Sequence, residues 1–283
     1  MTTPNDTPEP ALGDEFEEFD RRIELFLKRV DFARLEHVTG VDGVCAVWSE
    51  LEKKLDKTFS GLRRFASDVD LLDRGLVGTH WVWRRGERNV SVAISVSSAG
   101  FAAVHEKLFT SSTETTMVRI PYGRGPRDLG DLALRHRVDS GDLIMWVYRN
   151  VFVLIDGDGP GLDLEPTARL IQQFMEARRV RRLAEHLPRV DRMDVSGRQV
   201  RVGDEWTVTL VLAKDVDADR VVVEFEQDRD ADEFLLDRLR SSHLSAAYRA
   251  LAPGTARVEI RVVDKNTLLS PPLAATVEIL PAR

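Results

Sequence analysis

Val202-Gly-Asp-Glu-Trp-Thr-Val-Thr-Leu-Val-Leu212 places Trp206, Val208, Leu210 and Leu212 on one side of an extended chain and Thr207, Thr209 and Val211 on the other. Successive side chains of a strand point to opposite faces, so a period of two marks a half-buried β-strand. The same period returns downstream. Val221, Val223 and Phe225 alternate with Val222, Glu224 and Glu226; Ala256, Val258, Ile260 and Val262 alternate with Arg257, Glu259 and Arg261; Val277 and Ile279 alternate with Thr276 and Glu278. Half-buried strands separated by turn signals predict an all-β sandwich over residues 189–283. One stretch departs from this: Phe234, Leu235, Leu239 and Leu244 predict a helical insertion within 234–250.

Three segments of that region, Val202-Gly-Asp-Glu-Trp-Thr-Val-Thr-Leu210, Tyr248-Arg-Ala-Leu-Ala-Pro-Gly254 and Arg257-Val-Glu-Ile-Arg-Val-Val263, resemble a bacterial immunoglobulin-like domain. The Pro253-Gly254 turn into a late strand and the Ser270-Pro-Pro272 run before the last strand fit the same resemblance. The cysteine pair and core tryptophan arrangement of antibody domains are absent, so the resemblance implies the superfold and no particular activity.

Upstream, the apolar spacing changes. Residues 1–13, with three prolines and almost nothing to bury, predict a disordered tail. Residues 14–36 place Phe16, Phe19, Ile23, Phe26, Leu27 and Val30 on one helical stripe, opposite charges of both signs. After Gly43, Val44, Val47, Trp48, Leu51 and Leu55 keep the helical step, with Phe59 and Leu62 continuing it. The period then falls to two: Trp81 and Trp83 alternate in 79–84, and Val90, Val92, Ile94 and Val96 in 89–96, which predicts a β-hairpin around Arg85-Gly-Glu-Arg88. A short helix bearing Phe101, Val104 and Leu108 follows, then a strand at 117–121 and the loop Tyr122-Gly-Arg-Gly-Pro-Arg-Asp128.

Two apolar strands, 143–148 and 151–155, are joined by Arg149-Asn150, where asparagine suits a left-handed turn. A helix starting at Pro166 closes the region. Antiparallel hairpins with segregated helices give an α+β class for residues 14–185, not a dinucleotide-binding fold. The closing motif, Gly130-Asp-Leu-Ala133, the hairpin and the proline-started helix, is similar to small bacterial sensor or lipoprotein-type domains. Pro188 ends the helical tract and marks a hinge before the sandwich.

Composition narrows the classes of function. The net charge of −7 argues against a general nucleic-acid binder, which needs cations to neutralise phosphates. No apolar run is long enough for a membrane span, and the first residues lack the pattern of a signal peptide, so a cytoplasmic location is expected. Cys45, the sole cysteine, excludes an internal disulfide and cysteine-rich zinc sites, and its apolar neighbours Val44 and Trp48 predict an inert thiol.

No catalytic or cofactor-binding constellation emerges, and no cofactor is expected. The six histidines lack metal-ligand spacing. Asp156-Gly-Asp-Gly-Pro-Gly-Leu-Asp163-Leu-Glu165 comes nearest to a calcium loop, with Asp156, Asp158 and Asp163 as candidate ligands. Its order fails the EF-hand, since Pro160 and Thr167 fall where ligands are required, so a solvated strand-to-helix loop is expected in place of a metal site. Arg178, Arg179, Arg181 and Arg182 offer an interaction patch for an acidic partner, or favourable charges at a helix C-terminus.

The expected function is a non-enzymatic interaction or assembly protein that binds another protein. The alternative is a small-ligand sensor or hydrolase with a pocket near Trp81, Trp83 and Trp146.

Overall fold

The computed structural model describes residues 12–36, 38, 40–72, 75–113, 122–159, 161–213, 218–227, 230–237 and 243–283. The expected tail lies outside them except for its last two residues, which begin a helix, and the expected strand at 117–121 lies outside them entirely. The chain opens with α1 (Leu12–Arg29), α2 (Ala33–Glu36), the two-residue strand β1 (Gly43–Val44) and α3 (Trp48–Thr58). A meander of β2 (Arg63–Leu72), β3 (Leu76–Arg85) and β4 (Arg88–Ser97) leads into α4 (Ala102–Thr113). A second meander contains β5 (Gly123–Arg124), β6 (Leu132–Val138), β7 (Gly141–Tyr148) and β8 (Val151–Asp158). It is followed by α5 (Glu165–Glu176) and the short β9 (Arg179–Val180), which pairs with β1.

The two meanders join through β4 and β8 into one antiparallel sheet, ordered β2-β3-β4-β8-β7-β6-β5. Trp81, Val92, Ile94, Trp146 and Val153 cover one face, beneath Leu51 and Leu55 of α3 and Ile171 and Phe174 of α5. Leu134, Met145, Val147 and Phe152 cover the other, beneath Phe26 and Val30 of α1 and Val104 and Leu108 of α4. The helices therefore flank the sheet on both sides, where they were expected to be segregated. Burial of both faces explains why β7 and β8 read as continuous apolar runs, since neither side of a central strand meets water.

Several expectations change in detail. The helix after Gly43 starts only at Trp48, because Gly43 and Val44 are spent on the pairing with β9. Strands β2 and β6 escape the periodicity. Strand β2 is an outer strand, and β6 is polar beyond Leu134, where Arg135 and Arg137 replace apolar side chains. At the turn between β7 and β8 the positive φ of 57° belongs to Arg149, not to Asn150. Asn150 is wholly buried and serves as a clamp: its Oδ1 accepts from the Val44 amide at 2.7 Å and its Nδ2 donates to the Ser97 carbonyl at 2.9 Å.

From Val190 onward every described regular element is a strand. Strands β10 (Val190–Val195), β11 (Gln199–Arg201), β12 (Glu205–Leu212), β13 (Ala218–Gln227), β14 (Asp230–Asp237), β15 (His243–Arg249), β16 (Gly254–Asp264) and β17 (Leu273–Leu280) form two sheets, ordered β10-β12-β15 and β11-β17-β16-β13-β14. Trp206, Val208, Leu210 and Leu212 from one sheet and Val258, Ile260, Val262, Val277 and Ile279 from the other make one core, a β-sandwich. In β12, β16 and β17 the alternation read in the sequence is thus the alternation of burial. Among the described residues of the expected helical insertion no helix is present: residues 230–237 pair with β13 and residues 243–249 with β12, while Leu239 lies outside the described residues. Phe234 and Leu235 belong to a strand at the sheet's edge, and a short apolar run cannot by itself separate strand from helix.

Candidate functional site

The acidic loop after β8 folds around an arginine that the sequence reading did not single out. Arg135 lies on β6, and its Nε and Nη2 donate to the two carboxylate oxygens of Asp142 on β7, at 2.9 and 2.7 Å. Nη2 also reaches Asp163 Oδ1 at 2.9 Å, and Nη1 reaches Glu165 Oε2 at 2.8 Å. Asp142 has a fully buried side chain and accepts the Leu164 amide at 2.8 Å. A bidentate guanidinium–carboxylate pair is among the stronger hydrogen-bonded contacts, and this one fixes the start of α5 against the sheet.

Asp163 is therefore an ion-pair partner. The Glu165 amide and the Arg135 guanidinium both hold its carboxyl below the usual range. Asp156 and Asp158 stand two residues apart on β8, away from that cluster, and burial together with the neighbouring Asp158 charge raises the Asp156 pKa. The three candidate ligands are not brought together, and no group of three metal-binding side chains occurs among the described residues.

The arginines after α5 are largely engaged within the chain. Arg178 pairs with Glu50 of α3 at 2.5 Å and lies over the Phe174 ring at 3.6 Å from its centroid. Arg179 pairs with Asp42 at 2.5 Å, and Arg182 with Glu185 at 3.1 Å. Arg181 is exposed. The tryptophans proposed to border a pocket are core residues: Trp81, Trp83 and Trp146 are at most 1% exposed. The indole N–H of Trp83 donates to Asp56 at 2.9 Å and that of Trp146 to Gln172 at 3.0 Å. Cys45 is half-buried, and desolvation pushes its thiol pKa up to about 11, which keeps it protonated at neutral pH.

A cavity of about 350 Å³ opens elsewhere, between the end of α1 and the loop leading into β6. Arg34, Arg124 and Arg127 line it together with Asp31, over an apolar floor that includes Leu129 and Leu132. Arg124 Nε donates to the Arg29 carbonyl at 3.0 Å, and Arg29 donates to the Tyr122 carbonyl, so the two arginines brace α1 against β5. Gly125 permits the tight packing beneath: a Cβ there would lie 2.9 Å from the Cβ of Ala133.

A second feature links the sandwich to the N-terminal part. The loop between β16 and β17 is folded on Asp264, whose Oδ1 accepts the amides of Asn266 and Leu268, each at 2.9 Å. Burial raises the pKa of this carboxyl despite those bonds. The loop's far end enters the other core: Leu268 is wholly buried within the cluster beneath α3 and α5, and Leu269 packs with Val77 of β3. Trp48 Nε1 donates to the Asn266 carbonyl at 3.0 Å, and the Leu269 amide donates to Ser98 Oγ at 2.6 Å. Sequence gave no sign of this plug, since Asn266-Thr-Leu-Leu-Ser-Pro-Pro272 has the character of an ordinary turn.

No described helix is long and apolar enough to cross a membrane. No family model and no curated protein matches the chain. Among solved structures, it is similar to the PKD domain of an M14-like peptidase from a Thermoplasmatales archaeon, at 16% identity over 31% of this chain and 92% of that one, with a TM-score of 0.26. The fibronectin(III)-like modules of Clostridium thermocellum CbhA are similar at 17% identity, over 32% of this chain and 98% of that one, again with a TM-score of 0.26. A family 76 glycoside hydrolase from a Bacteroides thetaiotaomicron strain matches at 15% identity and a TM-score of 0.27, over 33% of this chain and only 20% of its own. The first two are Ig-like β-sandwiches. Likenesses this slight and this local say nothing of what the chain does.

Proposed function

We propose that the chain is a non-enzymatic interaction or assembly protein, in which a bacterial Ig-like sandwich (residues 189–283) is fixed on an α+β unit (residues 14–185) as a rigid bracket. The observation that supports this reading is the seating of Leu268, a residue of the sandwich loop, at 0% exposure in the N-terminal core. A module on a free linker presents its surface in every orientation. A plugged module presents two surfaces at one set angle, and a bracket between partners requires that, because ordering two mobile units on binding costs conformational entropy. The sandwich then acts through geometry, by holding the α+β unit in a fixed pose.

The test is native affinity capture with the full chain, followed by reconstitution of the complex from purified components. A purified partner that binds the native chain, and binds more weakly to a Leu268→Ala chain that remains folded, supports the reading. Turnover of a substrate by the purified chain alone would overturn it, as would undiminished partner binding by a folded chain whose plug is undocked.

A further inference from the structure

The cavity beside α1 carries a charge opposite to that of the whole protein. The chain has a net charge of −7, yet three arginines, Arg34, Arg124 and Arg127, line the cavity against one acidic residue, Asp31. Arg124 is held in place by its bond to the Arg29 carbonyl, which uses one of its donors and leaves the rest. Arg34 and Arg127 are exposed and form no ion pair with a described residue. Like charges gathered without partners raise the energy of the empty site, and a ligand of opposite charge relieves it.

The size and lining narrow the ligand. A volume of about 350 Å³ lies at the lower end of small-molecule pockets, which span roughly 300–1,000 Å³. The local surplus of cations corresponds to a dianion, and a phosphate monoester carries about −1.5 to −2 charges near neutral pH with three acceptor oxygens. Guanidinium forks match those oxygens in pairs. A single carboxylate would leave cationic charge uncompensated. The buried side chains of Leu129 and Leu132 give the site an apolar floor for the carbon part of such a ligand.

We infer that this cleft is a binding site for a small phosphorylated molecule, with Arg34 and Arg127 gripping the phosphoryl group and Arg124 holding the wall in register. The site is separate from the sandwich plug, so it stands or falls independently of the proposed bracket role.

Isothermal titration of the full chain with phenyl phosphate, inorganic phosphate and benzoate tests it. Saturable 1:1 binding of phenyl phosphate is expected, weakening with added salt. R34A and R127A should each weaken it at least tenfold, and the double variant should abolish it. Arg198→Ala, an exposed change on the sandwich, should leave it unaltered. Tighter binding of phenyl phosphate than of inorganic phosphate identifies an ester as the occupant, and equal binding identifies free phosphate; either supports a phosphoryl site. Benzoate binding as tightly as phenyl phosphate would overturn the assignment. So would binding that the folded double variant retains, or no saturable binding at millimolar ligand.

Discussion

Replacing Leu268 by alanine tests the plug most directly. The side chain is wholly buried in a core to which no other described residue of the sandwich contributes, so its removal leaves a cavity at the junction between the sandwich and the N-terminal part. Leucine-to-alanine changes at buried sites cost about 2–5 kcal/mol, the lost transfer energy plus the cavity term. Here about 3 kcal/mol is expected, because the loop is cross-tied by Asp264 and cannot collapse freely into the gap. At roughly 2–4 °C per kcal/mol for a chain of this size class, the melting temperature should fall by about 6–12 °C.

Differential scanning calorimetry reads both the size and the form of the change. The native chain should melt as one coupled transition, and Leu268→Ala should broaden or split it as the sandwich uncouples. Trp48→Phe removes the donor to the Asn266 carbonyl and should cost about 1 kcal/mol alone. Combined with Leu268→Ala, it should show a coupling of at least about 0.5 kcal/mol, because both changes act on one docked loop. A loss below about 1 kcal/mol for Leu268→Ala, with an unchanged single transition, would refute the reasoning and leave the loop as a surface feature.

Three other outcomes follow from the hydrogen-bonded polar groups. Arg135→Met strands the Asp142 carboxylate without its cation, at a cost of about 3–5 kcal/mol, measurable by urea unfolding. Asn150→Ala leaves the Val44 amide unpaired in the core and should cost about 2–4 kcal/mol, with amide exchange at Val44 accelerated. The folded pKa of Asp163 is depressed, so its contribution to stability is present above the unfolded carboxyl value near 3.8 and disappears as pH falls through the folded value. Asp163→Asn should accordingly lower stability at neutral pH and flatten its decline in acid, and urea melts at pH 7 and pH 3 compare the two.

The sandwich was legible because its central strands face water on one side only. Trp206, Val208, Leu210 and Leu212 are buried and their neighbours are not, which is the pattern written in the sequence. The hairpin of β3 and β4 was legible for the same reason, with Trp81 and Trp83 opposite Val92 and Val90 in the observed register. Strand β2 carries Arg63, Arg64 and an exposed Phe65 at a sheet edge, so it presents no alternation to read. The candidate sites were less accessible still. Arg34 reaches the cleft from a helical turn, while Arg124 comes from the short β5 and Arg127 from the loop after it, and nothing local in either segment announces the other. Asp163 was recognised as acidic, but its role depends on Arg135, which arrives through a strand the periodicity missed.

The pairing of β1 with β9 also has a mechanical consequence. Gly43 opposes Val180 and Val44 opposes Arg179, so the seven-stranded sheet and α3, α4 and α5 hang from a neck whose two strands enter and leave side by side. The bond from the Leu183 amide to the Val41 carbonyl at 2.6 Å and the Asp42–Arg179 ion pair extend that neck outward. Once α1 and the Leu268 plug have been pulled off the sheet, tension between the first helix and the sandwich reaches this neck at its open end. It would load the cross-links one after another, as in a zipper, and not all at once in shear. After those contacts have gone, a pulled chain should part at residues 41–44 and 179–183 at low force, while the large sheet still holds.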